Sequence, residues 1–176
     1  AAGDAGAAQP QLAHDAVGTA CEPPNGFRVA VIGSGPGGMA CADELVQLGF
    51  DVTIFESQLI PGGLLVNGIP AFKLAKGIVE RRIELLFRRG VKFQLGVKVG
   101  WDVSLAHLRR EYDAVFLGIG AQRSKPLGIP GAELPGVMDA LPFLIQKNVV
   151  SPLVDLPPID TAGKRVVVLG GGDTAM

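Results

Sequence analysis

The sequence predicts an α/β fold built on a parallel sheet, and three observations carry that prediction. Short, almost wholly apolar runs recur at 28–32, 52–55, 113–117 and 164–169, as strands buried on both faces do. Helical stretches with one apolar face alternate with them, at 36–48 and 76–89. Glycine supplies 25 of the 176 residues, about twice its usual ~7% share, and it clusters directly after two of the apolar runs. Glycine loses more backbone entropy on folding than any other residue, so clusters at such places imply a task.

The elements follow in order. Residues 1–27 are rich in Ala, Gly, Gln and Pro without periodicity and read as a flexible lead-in. The run 28–32 is a strand, broken by Gly33–Gly38. A helix follows over 36–48, with Met39, Ala42, Leu45 and Leu48 as its apolar stripe and Gly49 as its stop. A second strand, 52–55, ends at Glu56, and a glycine/proline loop runs over 61–70. The helix 76–89 carries Val79, Ile83 and Leu86 on one face and stops at Gly90. Strand-like ribbons are expected at 91–95 and 97–99, a short helix at 104–110 and an apolar strand at 113–117. Residues 148–163, with Pro152, Pro157 and Pro158, read as an inter-domain linker. The run 164–169 is a new strand leading into Gly170–Gly172.

Composition excludes several classes. With 48% hydrophobic and 19% charged residues the chain supports a packed core. A net charge of −1 gives no basic field for nucleic acid or an anionic membrane. No apolar run approaches the ~20 residues of a membrane span, and no basic region followed by an apolar one marks a secretory signal. The chain lacks an initiator Met, which reads as processing or excision from something longer. Cys21 and Cys41 form neither a CxxC nor a metal-ligand set, so no metal site is expected, and two isolated cysteines suit the cytoplasm.

Gly33-Ser34-Gly35-Pro36-Gly37-Gly38 is a GxGxxG with a strand before it, a helix after it and an acidic residue, Glu56, at the end of the next strand. That context is the dinucleotide-binding fingerprint of a Rossmann-like domain. Gly33 permits the tight turn, Gly35 lets a pyrophosphate approach the backbone, and Gly38 lets the helix pack on the sheet. The helix N-terminus that begins at Pro36 and Gly37 supplies free N–H groups and a positive dipole end to phosphates. Glu56 accepts from ribose hydroxyls, and its charge repels a 2′-phosphate, which favours FAD or NAD over NADP at this turn.

Further along, Gly62-Gly63-Leu64-Leu65, then Gly68-Ile69-Pro70-Ala71-Phe72-Lys73-Leu74, then Tyr112–Ala121, Leu127–Gly131 and Val166–Met176 follow this fingerprint. The set resembles the small (beta) chain of NADPH-dependent glutamate synthase and its relatives, including the N-terminal half of dihydropyrimidine dehydrogenase. The resemblance covers residues 28–176. It implies that the first turn binds FAD, that Gly63, Leu64, Gly68 and Ile69 contact it, and that Lys73 lies near the flavin edge. It also implies that Val99 meets the adenine through its backbone and that Gly120 and Ala121 close over the cofactor. Disulfide reductases of the wider class carry redox cysteines just after this Gly-Gly pair; residues 64–74 hold none, so electrons are expected to leave by another path. In the resembling family that path leads to iron–sulfur clusters, held in a region outside this sequence or in a larger partner subunit.

Residues 166–169 followed by Gly170, Gly172 and Ala175 repeat the fingerprint in its GxGxxA form. By resemblance this second turn, with Asp173 inside it, binds NADPH or NADH. The expected organisation is a lead-in over 1–27, an FAD-binding domain over 28–147 completed by a later returning segment, a linker over 148–163, and the opening of a nicotinamide-dinucleotide domain over 164–176. No catalytic side chain is expected, since hydride transfer between two cofactors needs none. His14 and His107 have no partner for acid–base work. Arg81-Arg82 and Arg88-Arg89 read as a solvated helix face, and Cys41 as a small buried apolar residue. Two competing readings are a non-catalytic binding fragment and a single-domain NAD-binding protein that uses Glu56.

Overall fold

The computed structural model describes residues 21–121, 123–148, 159–172 and 174–175. Most of the expected lead-in and linker, His14 and Asp173 lie outside the described residues. Four strands, β1 (Arg28–Ile32), β2 (Asp51–Glu56), β3 (Lys92–Leu95) and β4 (Ala114–Leu117), form one sheet in the order β3-β2-β1-β4. All three pairings are parallel, with Val31 opposite Ile54 on one side and Phe116 on the other. The chain moves from β1 outward through β2 to β3, then crosses back to place β4 on the far side of β1. The order therefore reverses between β1 and β4, and at such a switch point the strand ends leave a crevice for ligands.

Among the described residues five helices accompany the sheet: α1 (Pro36–Gln47), α2 (Leu64–Asn67), α3 (Lys76–Arg88), α4 (Leu105–Glu111) and α5 (Ala140–Asn148). Strand alternation sends Val29, Val31, Val52 and Ile54 to one face, where they pack with Met39, Ala42 and Val46 of α1 and Val79 and Leu86 of α3. Ala30, Ile32 and Phe55 point to the other face, against Leu108 of α4. The core is thus a three-layer sandwich centred on β1 and β2, and both strands are buried after their first residue. Ser104 caps α4, its side chain accepting the His107 N–H at 3.1 Å.

Several expectations differ from the structure. Leu48 does not belong to the buried stripe of α1; it is 57% exposed, and Val46 takes the core position. The ribbon at 97–99 is no strand, only a single bridge from Val99 to Val103, because Gly96 turns the chain at a φ of +71°. The 61–70 loop contains the short α2, and α5 lies where no element was expected. Residues 164–169 form no strand: Val166, Val167, Val168 and Leu169 are all exposed, and no strand lies beside them among the described residues. A strand is made by its neighbour, and an apolar run alone does not supply one.

The two arginine pairs also divide. Arg88 is solvated and pairs with Glu84 one turn earlier on its own helix. Arg82 and Arg89 instead reach across to Asp43 of α1, Arg82 at 2.6 Å and Arg89 through its other carboxylate oxygen. The Asp43 and Arg89 side chains are only 8% and 4% exposed, so this cluster clamps α3 to α1 from inside. Cys41 is half-buried against the core, and burial pushes its thiol pKa up.

Candidate functional site: the glycine turn at the sheet's switch point

β1 ends at Ile32, and the next six residues turn the chain into α1 at the place where the strand order reverses. Gly33 takes a φ of +97°, and a side chain there would meet the Gly118 carbonyl oxygen at 2.5 Å, just past the end of β4. A Cβ on Gly38 would fall 1.9 Å from the Gly33 oxygen. These two glycines therefore serve packing between turn, helix and sheet. Gly35 and Gly37 face open space, with nothing within 4 Å of a Cβ at either. The roles of the four glycines thus separate into close-packed and open.

The start of α1 is left uncapped. Its N-cap is Gly35, which has no side chain to accept, Pro36 occupies the first turn, and that turn holds no acidic residue. Met39 N–H donates to Gly35 at 2.9 Å, while the Gly37 and Gly38 N–H groups find no acceptor among the described residues. Free donors and the positive end of a 12-residue helix therefore converge beside the open space at Gly35 and Gly37. This is the arrangement that binds a phosphate.

Glu56, the last residue of β2, is buried and faces the same turn. Its Oε2 accepts from Ser34 N–H at 2.9 Å and from Ser34 Oγ at 2.6 Å. Its Oε1 accepts from Gln58 N–H at 2.8 Å and from Ser57 Oγ at 3.1 Å. Burial pushes this carboxyl up, but the hydrogen bonds from Ser34, Gln58 and Ser57 outweigh it and hold the pKa below the usual carboxylate value. The carboxylate is therefore ionised near neutrality and held in place.

The loop 61–74 lies against the turn. Gly63, at a φ of +54°, would bring a Cβ to 3.0 Å from the Gly35 Cα, so the two backbones nearly touch. Gly62 N–H donates to Ser34 Oγ at 2.9 Å. Leu64 opens α2 and is largely exposed, Gly68 closes it, and Ile69 N–H donates back to the Leu64 carbonyl. Lys76, at the head of α3, donates to the carbonyls of Leu65 (2.9 Å) and Ile69, and burial lowers its pKa. Asn148 at the end of α5 donates to the Gly68 carbonyl at 3.0 Å. The loop is thus fixed from two sides, and Lys73 stands exposed at its outer edge.

The structure brings Gly33, Gly35, Pro36, Gly37, Gly38, Glu56 and Gly63 together around one turn, where only Gly35 and Gly37 face open space. Val97 N–H donates to the Glu56 carbonyl at 2.9 Å, while Val99 bridges to Val103 and packs on the cluster of Ala30, Ile32, Phe55 and Leu108. Gly120 and Ala121 follow β4 and are exposed near its end. In the second turn, Gly170, Gly171 and Gly172 have nothing within 4 Å of a Cβ. Gly170 and Gly172 are exposed, and Ala175 N–H donates to Gly172 within the turn itself. A separate groove of about 780 Å³ runs between α1, α2 and α3, lined by Met39, Leu65, Leu74, Ile78 and Val79 among others, and includes none of the predicted residues. Ser34, buried and bonded to Glu56 and Gly62, is the residue of this turn that sequence reasoning passed over. A hydroxyl between two glycines of the fingerprint was its only visible signal.

The parallel sheet, its switch point and the strand–glycine turn–helix unit define a Rossmann-type α/β domain. Residues 27–176 match the pyridine nucleotide-disulphide oxidoreductase family, and the chain belongs to it. The chain is 52% identical to the putative oxidoreductase AegA of Escherichia coli (strain K12), over 85% of this chain and 23% of that protein. It is 48% identical to the glutamate synthase [NADPH] small chain of the same organism, over 86% of this chain and 33% of the relative. The fold matches the solved structure of Mycobacterium tuberculosis FprA in complex with NADPH, with a TM-score of 0.62 and 30% identity, covering 67% of this chain and 28% of FprA. The chain thus spans about a quarter to a third of the length of these curated relatives. No helix among the described residues is long and apolar enough to cross a membrane, and no group of His, Cys, Asp and Glu among them could hold a metal ion.

Proposed function

We propose that this chain supplies the FAD-binding part of an NAD(P)H-dependent flavin oxidoreductase, one that passes electrons to an iron–sulfur partner as glutamate synthase small chains do. The observation that carries this reading is the pairing of an uncapped, open helix start with a loop whose backbone meets it at Gly63 and Gly35. A dinucleotide with a flat ring needs both: donors for its pyrophosphate, and a close backbone surface for its ring. The open space at Gly35 and Gly37 is a cradle that a Cβ would fill.

In this reading the N–H groups at Gly35, Gly37 and Gly38 hold the pyrophosphate, with Pro36 fixing the first turn of the helix. Glu56, ionised and fixed, accepts from the adenosine ribose, and Val99 meets the adenine through its backbone. Gly63, Leu64, Gly68 and Ile69 lie along the flavin, Lys73 stands near its edge, and Gly120 and Ala121 close over it. FAD, when bound, supplies hydride acceptance from NAD(P)H and one-electron release to the partner. This chain's residues bind, orient and exclude water; no side-chain acid or base is required. Gly170, Gly172, Asp173 and Ala175 contribute the pyrophosphate turn for the nicotinamide dinucleotide, NADPH in the names of the relatives. The partner is a larger electron-accepting subunit or an iron–sulfur protein, and the reaction belongs to the cytoplasm.

The test is direct. The full-length protein containing this chain purifies yellow and bleaches when NADPH is added without oxygen. A colourless protein that takes up no FAD refutes the reading. A second reading, a binding module without turnover of its own, is favoured by the exposed run at 166–169. It predicts that the 176-residue chain by itself holds FAD poorly or not at all and oxidises NAD(P)H negligibly with any acceptor.

A further inference from the structure

Ser34 sits between two glycines of the turn and is fully buried. Its hydroxyl touches two other segments at once. It donates to Glu56 Oε2 at 2.6 Å and accepts from the Gly62 N–H at 2.9 Å. The direction of both bonds is fixed by chemistry: an amide N–H only donates, an ionised carboxylate only accepts, and a serine hydroxyl has one proton. The hydroxyl is therefore a directed joint between the end of β2 and the head of the loop at 62–74.

The Glu56 carboxylate is already full. Four donors, two from Ser34 and one each from Ser57 and Gln58, meet its two oxygens, and a carboxylate offers about four lone-pair sites. An incoming diol must share or displace some of them. Any shift of Oε2 moves the hydroxyl that holds Gly62, the residue preceding Gly63 where loop and turn meet.

We infer that Ser34 is a positioning residue that couples occupancy at Glu56 to the setting of the loop 62–74, so that the adenosine end of a dinucleotide orders the loop meant for its other end. The inference rests on the reading that Glu56 takes the ribose. ADP is the probe, since it carries the adenosine and the diphosphate and lacks a flavin. Trypsin cleavage after Lys73, which is exposed in the loop, reports the loop's order.

In the wild-type chain, saturating ADP slows that cleavage by about tenfold, the size of one hydrogen bond to a charged group. Ser34→Ala binds ADP, which shows that it is folded, yet loses the protection. Ser34→Gly, the second variant without a hydroxyl, gives the same result should the alanine disturb packing. Ser57→Ala, which removes a donor from the same carboxylate without touching Gly62, keeps the protection. Equal protection in the wild type and in the ADP-binding Ser34 variants overturns the inference, as does ADP binding to the wild type without any protection. Failure of the wild type to bind ADP overturns the cofactor reading itself, and the inference with it.

Discussion

Replacing Gly38 by alanine tests whether the turn's glycines divide into packing and ligand positions. The new methyl carbon would lie 1.9 Å from the Gly33 carbonyl oxygen and 3.3 Å from Val31 Cγ1. The nearer partner is backbone, so no side chain can rotate away. Restoring a contact of 3.0 Å requires α1 to move from the turn by about 1 Å, in a core packed as densely as an organic crystal. Overpacking of this kind costs ~1–3 kcal/mol, and a backbone-to-backbone clash belongs at the upper end. At ~2–4 °C per kcal/mol for a chain of this size, the expected fall in Tm is ~6–12 °C. Gly37→Ala is the matched control, since nothing lies within 4 Å of its Cβ. Alanine inside a helix is favoured over glycine by ~0.5–1 kcal/mol, so Gly37→Ala unfolds no earlier than wild type. Its methyl nevertheless occupies the cradle, and ADP affinity falls about tenfold, equivalent to ~1.4 kcal/mol. Urea unfolding and calorimetric ADP titration of both variants decide the matter. A Gly38→Ala protein as stable as wild type refutes the packing argument. A Gly37→Ala protein that binds ADP normally refutes the phosphate placement.

Two further outcomes follow from the charged groups. Asp43→Ala leaves the buried Arg89 guanidinium without its carboxylate, and urea unfolding should show a loss of ~3–5 kcal/mol that added salt barely changes; a loss below ~1 kcal/mol would sink the clamp. Arg82→Ala, on the 42% exposed side of the cluster, should cost less than ~1 kcal/mol. Because the Glu56 pKa is lowered from an ordinary 4.5, its contribution is fully present above that value. It is lost as pH falls through the lower folded-state pKa. The wild type should therefore lose stability relative to Glu56→Gln as pH falls below 4.5, and parallel pH–stability curves for the two proteins would contradict the geometry.

Much of the first half-site was legible in the chain. The strand at 28–32 is apolar after Arg28, and only glycine fits at Gly33 and Gly38, where turn and helix pack so closely on the sheet. Glu56 stood out because an ionisable residue ends an otherwise apolar run. What the chain concealed were contacts between segments distant in sequence. Arg82 and Arg89 looked solvated because their helix also carries Glu80 and Glu84, and only the approach of α1 placed Asp43 between them. The run 164–169 looked like a strand because apolarity is a local property, whereas a strand is defined by the partner it pairs with.

Local pattern, then, determined the α/β class, the position of the glycine turn and the acidic residue that ends the following strand. Each depends on residues within one strand–turn–helix unit, where steric and hydrogen-bonding demands act over a few positions. Tertiary structure decided which glycines are packed and which are open, how the loop at 62–74 is held against the turn, and that one buried hydroxyl, Ser34, joins β2 to that loop. Those features are distances between atoms as far apart in the chain as Gly33 and Gly118, and only the folded sheet sets such distances.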